Sequence, residues 1–141
     1  MAVDEFTGGC FCGAVRYRVA APPRTICLCH CAMCRHSVGA HAVAWATVPR
    51  ASLAVTAGRP AWHRSSASAR RGFCAQCGTS LFFEGDKWPD DIDVTVGSAD
   101  DASSLAPTLH VWARKRLPWS ATLSRLPAHV AGSSSPRIDQ G

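Results

Sequence analysis

The most constraining feature of this sequence is its set of eight cysteines in 141 residues. The cysteines fall into three groups. Two have the spacing of metal ligands: Cys27, Cys29, Cys31 and Cys34 form one, and Cys74 and Cys77 form the other. The third group is a closely spaced pair, Cys10 and Cys12. In a secreted chain, an even number of cysteines would suggest a disulfide framework. In a reducing compartment, the same spacing favours metal binding.

The N-terminal residues and the hydrophobic pattern favour the second of these environments. The chain starts with two acidic residues among its first six and lacks the apolar segment of a signal peptide. No apolar run approaches the roughly 18 residues that a membrane helix needs. We therefore expect a cytoplasmic protein with no membrane segment, in which the cysteines bind metal instead of forming disulfides.

The first and the last pair of cysteines along the chain together predict a closed metal site. The segment from Cys74 to Cys77 has the form of a zinc knuckle, and Gly78 allows the positive φ with which such turns often end. Cys10 and Cys12 are predicted to lie on a strand, where residues i and i+2 point to the same face. Together the two pairs predict a structural zinc with four thiolate ligands and no open position.

The middle group predicts a different kind of site. Cys29, Cys31 and Cys34 place three thiols within six residues, and three protein ligands with one exchangeable position are typical of catalytic zinc. Cys27 has two interpretations: it completes a closed four-thiolate set, or it is a buried free thiol that packs as a small apolar residue. His30 is expected to point away from the cysteine face and to pack or support the ligands.

The spacing of apolar residues predicts a mainly β fold with few short helices. Val15, Tyr17 and Val19 alternate with polar residues, which is the period of a half-buried strand. One short helix is expected over Asp100–Leu105. The predicted strands are Cys10–Val19, Thr25–Cys31, His41–Val48, Leu53–Thr56, Ala61–Ser65, Leu81–Glu84, Ile92–Val96 and Leu109–Ala113.

The chain length is enough for one domain with a modest core. We expect that domain to span residues 1–130. Residues 131–141, which are rich in serine, glycine and proline, are expected to form a flexible C-terminal tail.

The charge balance does not favour nucleic acid as a partner. The formal net charge is +5 with every thiol neutral. If seven cysteines bind two zinc ions as thiolates, three positive charges are removed and about +2 remains. The basic runs Arg70-Arg71 and Arg114-Lys115-Arg116 are interpreted as solvated faces.

Four segments, in this order along the chain, resemble the glutathione-dependent formaldehyde-activating family, which includes centromere protein V. The likeness covers about Gly8 to Leu126, and the order of the four segments makes it far more specific than any one of them. The segments are Gly9–Tyr17, Cys29–Arg35, Phe73–Leu81, and His110–Trp112 with Pro118–Trp119.

This resemblance implies small, zinc-stabilised, folded antiparallel sheets with two zinc ions per chain. It implies a structural zinc at Cys10, Cys12, Cys74 and Cys77 and a catalytic zinc at Cys29, Cys31 and Cys34. The implied activity is that of a carbon–sulfur lyase or synthase joining glutathione, as cosubstrate, to formaldehyde. Because glutathione carries two carboxylates, Arg35 and His110 are candidate contacts, with Arg64 and Arg114 as further ones.

A second interpretation is a non-catalytic zinc module that binds a protein, a thiol metabolite or nucleic acid. A second site closed by Cys27 would favour it, whereas an open site would favour the enzyme with its small-molecule thiol and aldehyde partners. The sequence does not indicate an oligomeric state.

Overall fold

Short strands are the main regular elements of the computed structural model, which describes residues 3–138. The mainly β fold predicted from the sequence is therefore confirmed. One α-helix, α1 (Ala32–Val38), and five short 3-10 helices lie among the strands in the described part of the chain. The strands are β1 (Phe6–Gly9), β2 (Arg16–Val19), β3 (Thr25–Cys29), β4 (Val43–Pro49), β5 (Leu53–Ala57), β6 (Ala61–Ser66), β7 (Ala69–Phe73), β8 (Ser80–Gly85), β9 (Asp91–Thr95), β10 (Leu109–Val111), β11 (Ala128–His129) and β12 (Arg137–Ile138).

The strands form a small sheet, a large sheet and a short C-terminal pair. The small sheet has the order β1-β2-β5, and the large sheet has the order β10-β3-β4-β9-β8-β7-β6. Every pairing is antiparallel except that of β10, which runs parallel to β3. The antiparallel arrangement is thus confirmed over most of the fold, with one parallel strand at the edge. Within residues 3–138, no helix is both long and apolar enough to cross a bilayer.

The main core lies between the small sheet and one face of the large sheet. The predicted shared face of Val15, Tyr17 and Val19 is confirmed, since each side chain is at most 2% exposed. Their partners come from one face of the large sheet, where an irregularity in the pairing of β7 with β8 lets the consecutive residues Leu81 and Phe82 both enter the core. These partners are Val48, Leu81, Phe82, Ile92 and Val94.

The opposite face of the large sheet carries a different set of residues. The register pairs Asp93 with Thr47 on one side and with Phe83 on the other. Trp45 lies two residues before Thr47 on β4, so it shares this second face. The face combines aromatic and polar side chains, and it forms the floor of the cavity described below.

Two predicted boundaries near the first metal ligands are wrong. Cys10–Val19 is a strand only from Arg16, because the amide of Gly13 donates to the carbonyl of Cys10 at 3.0 Å and closes a turn there. The predicted strand Thr25–Cys31 ends at Cys29, because α1 begins directly after Cys31. The Cys31 sulfur caps that helix by accepting from the amide of Cys34 at 3.2 Å.

Other differences come from strands whose residues carry weak patterns. β1 and β7 have no predicted counterpart, because their sequences, FTGG and ARRGF, hold few apolar residues. The predicted strand Leu109–Ala113 ends at Val111, because Trp112 adopts the left-handed conformation with φ 55°. The helix expected over Asp100–Leu105 is a single 3-10 turn, Ala102–Ser104.

The C-terminal segment is ordered in part by the pairing of β11 with β12. This pairing joins residues on both sides of the domain boundary predicted at residue 130. The boundary itself stays a prediction. The final residues of the expected flexible tail, 139–141, lie outside the described range.

We expect one buried hydrogen bond to fix the small sheet to the chain after β9. The hydroxyl of Tyr17 lies 2.8 Å from that of Ser98, and burial raises the pKa of Tyr17 to about 12. Tyr17→Phe keeps the ring and should lower the free energy of unfolding by about 1 kcal/mol. Urea unfolding of Tyr17→Phe, Ser98→Ala and the double variant checks this. Fully additive effects of the two substitutions would contradict it.

Candidate metal centres and their cavity

The four cysteines predicted to hold a structural metal lie together, although they come from two turns distant in sequence. The sulfurs of Cys10, Cys12, Cys74 and Cys77 all lie within 4.8 Å of one another. The distance from the Cys12 sulfur is 3.6 Å to that of Cys10 and 3.8 Å to that of Cys74. Zinc–sulfur bonds of about 2.3 Å at tetrahedral angles place sulfurs about 3.8 Å apart. The four thiols therefore have the spacing of a tetrahedral zinc site.

The two turns that carry these cysteines are built alike. In each, a glycine follows the second cysteine with a positive φ, 81° for Gly13 and 79° for Gly78. The amide of each glycine donates to the carbonyl of the first cysteine, Cys10 or Cys74. The role expected of Gly78 is therefore confirmed, whereas Cys10 and Cys12 converge through a turn and not through a strand as predicted.

Thr79 supports this cluster from one side. Its hydroxyl lies 3.1 Å from the sulfur of Cys77 and accepts from the amide of Phe11 at 3.0 Å. The hydrogen bond with Thr79 lowers the pKa of Cys77 to about 5. Thr79 thus links the two turns and favours the thiolate form that a metal needs.

The second cluster lies where β3 meets α1. Cys29 ends the strand, Cys31 caps the helix and Cys34 lies in its first turn. The three sulfurs lie within 4.8 Å of one another, with 3.7 Å between those of Cys29 and Cys34. This spacing again matches the edge of a zinc tetrahedron. The change from strand to helix supplies the bend that brings the three ligands together.

Charges are distributed unevenly within this cluster. The hydrogen bond from the thiol of Cys29, followed by contact with Arg71, lowers the pKa of Cys34 to about 5. The same hydrogen bond to Cys34, together with burial, raises the pKa of Cys29. Both terminal nitrogens of Arg71 lie 3.6 Å from the Cys34 sulfur. Arg71 therefore places a positive charge against one ligand of the group.

A cavity of about 850 Å³ opens directly onto the second cluster. All three of its cysteines line the cavity, and the floor is the second face of the large sheet, including Trp45 and Phe83. Trp88 and Trp112 also line it and are 57% and 53% exposed, so they form its rim. The cavity has room for a ligand much larger than a small aldehyde.

The comparisons with known proteins agree with this geometry. The family model described as "Glutathione-dependent formaldehyde-activating enzyme" matches residues 5–115. The chain belongs to this family. The match includes both cysteine clusters and most of the cavity wall, so the resemblance seen in the sequence is confirmed.

Individual relatives are similar at low identity. A protein of Halomonas elongata named "Putative glutathione-dependent formaldehyde-activating enzyme" is 28% identical over 129 residues, covering 84% of this chain and 81% of its own. An uncharacterized lyase of Schizosaccharomyces pombe is 29% identical over 81 residues, covering 57% and 58%. A crystal structure of a Rhodobacter sphaeroides protein has the same fold, with a TM-score of 0.61 and 23% identity over 74% of this chain and 99% of its own.

Within this family member, Cys27 remains outside the metal group. It lines the cavity on the same face as Cys29, as expected from the strand, but only the other three thiols of that segment form the group of possible ligands in residues 3–138. Burial raises the pKa of Cys27, which favours the neutral thiol. All eight cysteines lie in the described range, and each is a free thiol.

The two histidines singled out from the sequence contact each other. Nε2 of His30 lies 2.9 Å from Nδ1 of His110, and His30 is 2% exposed. The packing role expected of His30 matches this position. His110 and Trp112 do not share a face toward the site: Trp112 lines the cavity, whereas His110 is turned toward His30.

The other predicted glutathione contacts are dispersed. Arg35 lies on α1 and is not among the residues that line the cavity. Arg64 lines a separate cavity of about 250 Å³, and Arg114 lies over the ring of Trp112, 5.4 Å from its centroid. The structure thus brings Arg114 to the rim through Trp112 and leaves Arg35 outside the cavity wall.

Sequence reasoning missed two charged residues that line the cavity. Arg70-Arg71 was interpreted as one solvated run, but neighbouring residues of β7 point to opposite faces. Arg70 pairs with Glu84 at 2.6 Å, whereas Arg71 faces Cys34. Asp93 was part of a predicted strand and carried no role. The alternation of charged and apolar residues along β9 was the signal available for Asp93.

Substitutions in the two clusters should separate their roles. Cys74→Ser breaks the link between two distant turns, so it should lower the melting temperature strongly and release one metal ion. Cys31→Ser should release the other ion with a smaller loss of stability. Cys27→Ser, the matched control, should keep both ions. Native mass spectrometry and thermal unfolding measure these outcomes, and loss of a metal ion from Cys27→Ser would contradict the open second site.

The stability of the fold should also depend on the charge of Asp93. Burial raises the pKa of Asp93 to about 6, above the usual value near 3.9. The folded state is therefore favoured by protonation below the unfolded pKa, and this contribution is lost as the pH rises through 6. Asp93→Asn should raise the free energy of unfolding by about 1 to 3 kcal/mol at pH 8 and by less at pH 5.

Urea unfolding at both pH values checks this prediction. Asp90→Asn removes an exposed carboxylate from a nearby turn and should change stability little at either pH. An equal effect of Asp93→Asn at pH 5 and pH 8 would contradict the assignment.

Proposed function

We propose that the protein is a zinc-dependent carbon–sulfur lyase that joins glutathione to formaldehyde at the three-cysteine cluster. The carrying observation is that Cys29, Cys31 and Cys34 form a group with the spacing of zinc ligands and open onto a large cavity, while Cys27 is excluded from it. A closed structural site would lack the open position. Membership of the family supports the reaction class, and the names of both curated relatives agree with it.

The donor set at both clusters fits zinc. Thiolates are soft ligands, and sulfur separations of 3.6 to 3.8 Å fit a tetrahedral zinc with bonds of about 2.3 Å. At the open site, zinc supplies a Lewis-acid position that lowers the pKa of a bound thiol. We assign two zinc ions per chain, one at each cluster. The cytoplasm is the proposed compartment, because its reducing conditions keep thiols free.

The proposed reaction is an addition without redox change. A bond forms between the sulfur of the thiol and the carbon of the aldehyde, and the carbonyl π electrons move to oxygen. The proton lost by the thiol is gained by the new hydroxyl group. The reverse reaction breaks the carbon–sulfur bond, so the same site is described as a lyase or a synthase.

Arg71 is the protein group best placed to balance charge during this reaction. Three thiolates around a dication carry one net negative charge, and a thiolate substrate adds another. The guanidinium of Arg71 lies against Cys34 and over the ring of Phe83, 5.0 Å from its centroid. Its Nε is buried without a hydrogen-bond partner in the described residues. Arg71 therefore offers a fixed positive charge beside the cluster.

The cavity walls beside this position are largely apolar. Trp45 and Phe83 pack at 6.2 Å between ring centroids, and Met33 lines the opening beside the cysteines. Apolar walls strengthen the electrostatic effect of Arg71, since the surrounding dielectric is low.

The activity is tested by exchange NMR with 13C-formaldehyde, glutathione and their adduct. The zinc-loaded protein should accelerate exchange above the spontaneous rate. Cys31→Ser should abolish this acceleration, and Arg71→Met should reduce it by about ten- to a hundredfold. Arg70→Met, the matched control, removes the neighbouring charge on the opposite face and should retain the rate.

The outcomes distinguish the enzyme from a non-catalytic zinc module. No acceleration by the fully zinc-loaded protein would reject the lyase and favour the module. Equal losses in Arg70→Met and Arg71→Met would reject the role of Arg71, because only Arg71 faces the cluster.

A further inference from the structure

Asp93 is a half-buried carboxylate on the floor of the cavity. It lies on β9 between Thr47 of β4 and Phe83 of β8 in the strand register. The hydroxyl of Thr47 donates to Oδ1 of Asp93 at 2.6 Å. This bond fixes the carboxylate on the floor of the cavity and leaves its other oxygen without a hydrogen bond from any described residue.

Asp93 differs from two other half-buried carboxylates, Asp91 and Glu84, in having no cationic partner. Asp91 pairs with Arg24 at 2.7 Å, and Glu84 bridges two arginines. Among residues 3–138, no ion pair is formed by Asp93. Arg71 lies on the same face of the sheet, but its guanidinium is turned to Cys34. Lys87 is exposed at the edge of the cavity.

This lack of a partner leaves negative charge inside the cavity at neutral pH. Burial raises the pKa of Asp93 only to about 6, so the group is mostly ionised at pH 7. A half-buried carboxylate without a counter-charge is destabilising, and a cationic ligand would relieve that cost.

The surroundings of Asp93 favour a cation over other ligands. Phe83 is its neighbour in the register, and Trp45 lies two residues from Thr47 on the same face. The two rings are 6.2 Å apart. Aromatic faces attract ammonium groups, and because the guanidinium of Arg71 already lies over the ring of Phe83, Trp45 is the ring on this face that supports a cationic ligand.

We propose that Asp93 binds a primary ammonium group of the thiol substrate while the sulfur of that substrate occupies the open position at the three-cysteine cluster. The inference rests on the proposed function, because it assigns the sulfur end of the ligand to that position. It defines the substrate class as thiols that carry an ammonium group several bonds away from sulfur. In glutathione this group is the amine of the γ-glutamyl residue, and simple alkyl thiols lack it.

Isothermal titration calorimetry of the zinc-loaded protein tests this assignment. The probes are glutathione and glutaryl-cysteinylglycine, which has hydrogen in place of the amine and is otherwise the same. The wild type should bind glutathione about tenfold more tightly, since one charge-assisted hydrogen bond is lost with the amine. Asp93→Asn should bind both peptides with similar affinity. Asp90→Asn, which removes an exposed charge outside the cavity wall, should keep the tenfold preference.

The S-methylated forms of both peptides separate this inference from the proposed function. They lack the thiol, so a preference for the amine in this pair reports Asp93 without thiol binding. A preference that disappears in Asp93→Asn, in either pair, supports the inference even if formaldehyde exchange is not accelerated. No preference in either pair, or one that persists in Asp93→Asn, overturns it, whatever the rate of exchange.

Discussion

The convergence of four cysteine sulfurs from two distant turns is the constraint on which this fold depends. Cys12 and Cys74 are separated by 62 positions in sequence, yet their sulfurs lie 3.8 Å apart. The first turn leads into the small sheet, and the second connects β7 to β8 of the large sheet. A metal at this point would hold the two sheets around their shared core, in a chain too short to bury a large one. Closing so long a loop favours the folded state by restricting the unfolded chain.

With the two sheets joined on one side, the other face of the large sheet is free to form a cavity. The core face carries Val48, Phe82 and Val94, each at most 1% exposed. The opposite face carries alternate residues of the same strands, including Thr47 and Asp93. The period of two in each strand therefore separates residues of the core from residues that line the cavity.

The local patterns of the sequence predicted some of these features well. Cysteine spacing indicated the Cys74–Cys77 knuckle and the three-cysteine segment, because each converges through short-range geometry alone. The alternation of Val15, Tyr17 and Val19 indicated their buried face. In contrast, β1 and β7 were missed because their pairing depends on neighbouring strands more than on their own residues. The helix after Cys31 was missed since seven residues are too few for a clear helical pattern.

The sequence by itself determined that seven of the thiols have the spacing of metal ligands and that Val15, Tyr17 and Val19 share a buried face, since both depend on separations of a few residues. Only the tertiary structure decided what surrounds the second cluster. It placed Arg71 beside Cys34, kept Asp93 without a cation and left Cys27 outside the ligand group. These positions depend on the register between strands far apart in the chain, which no local pattern encodes. The two turns show the same division, because cysteine spacing predicted the pairs while the fold brought them to one point.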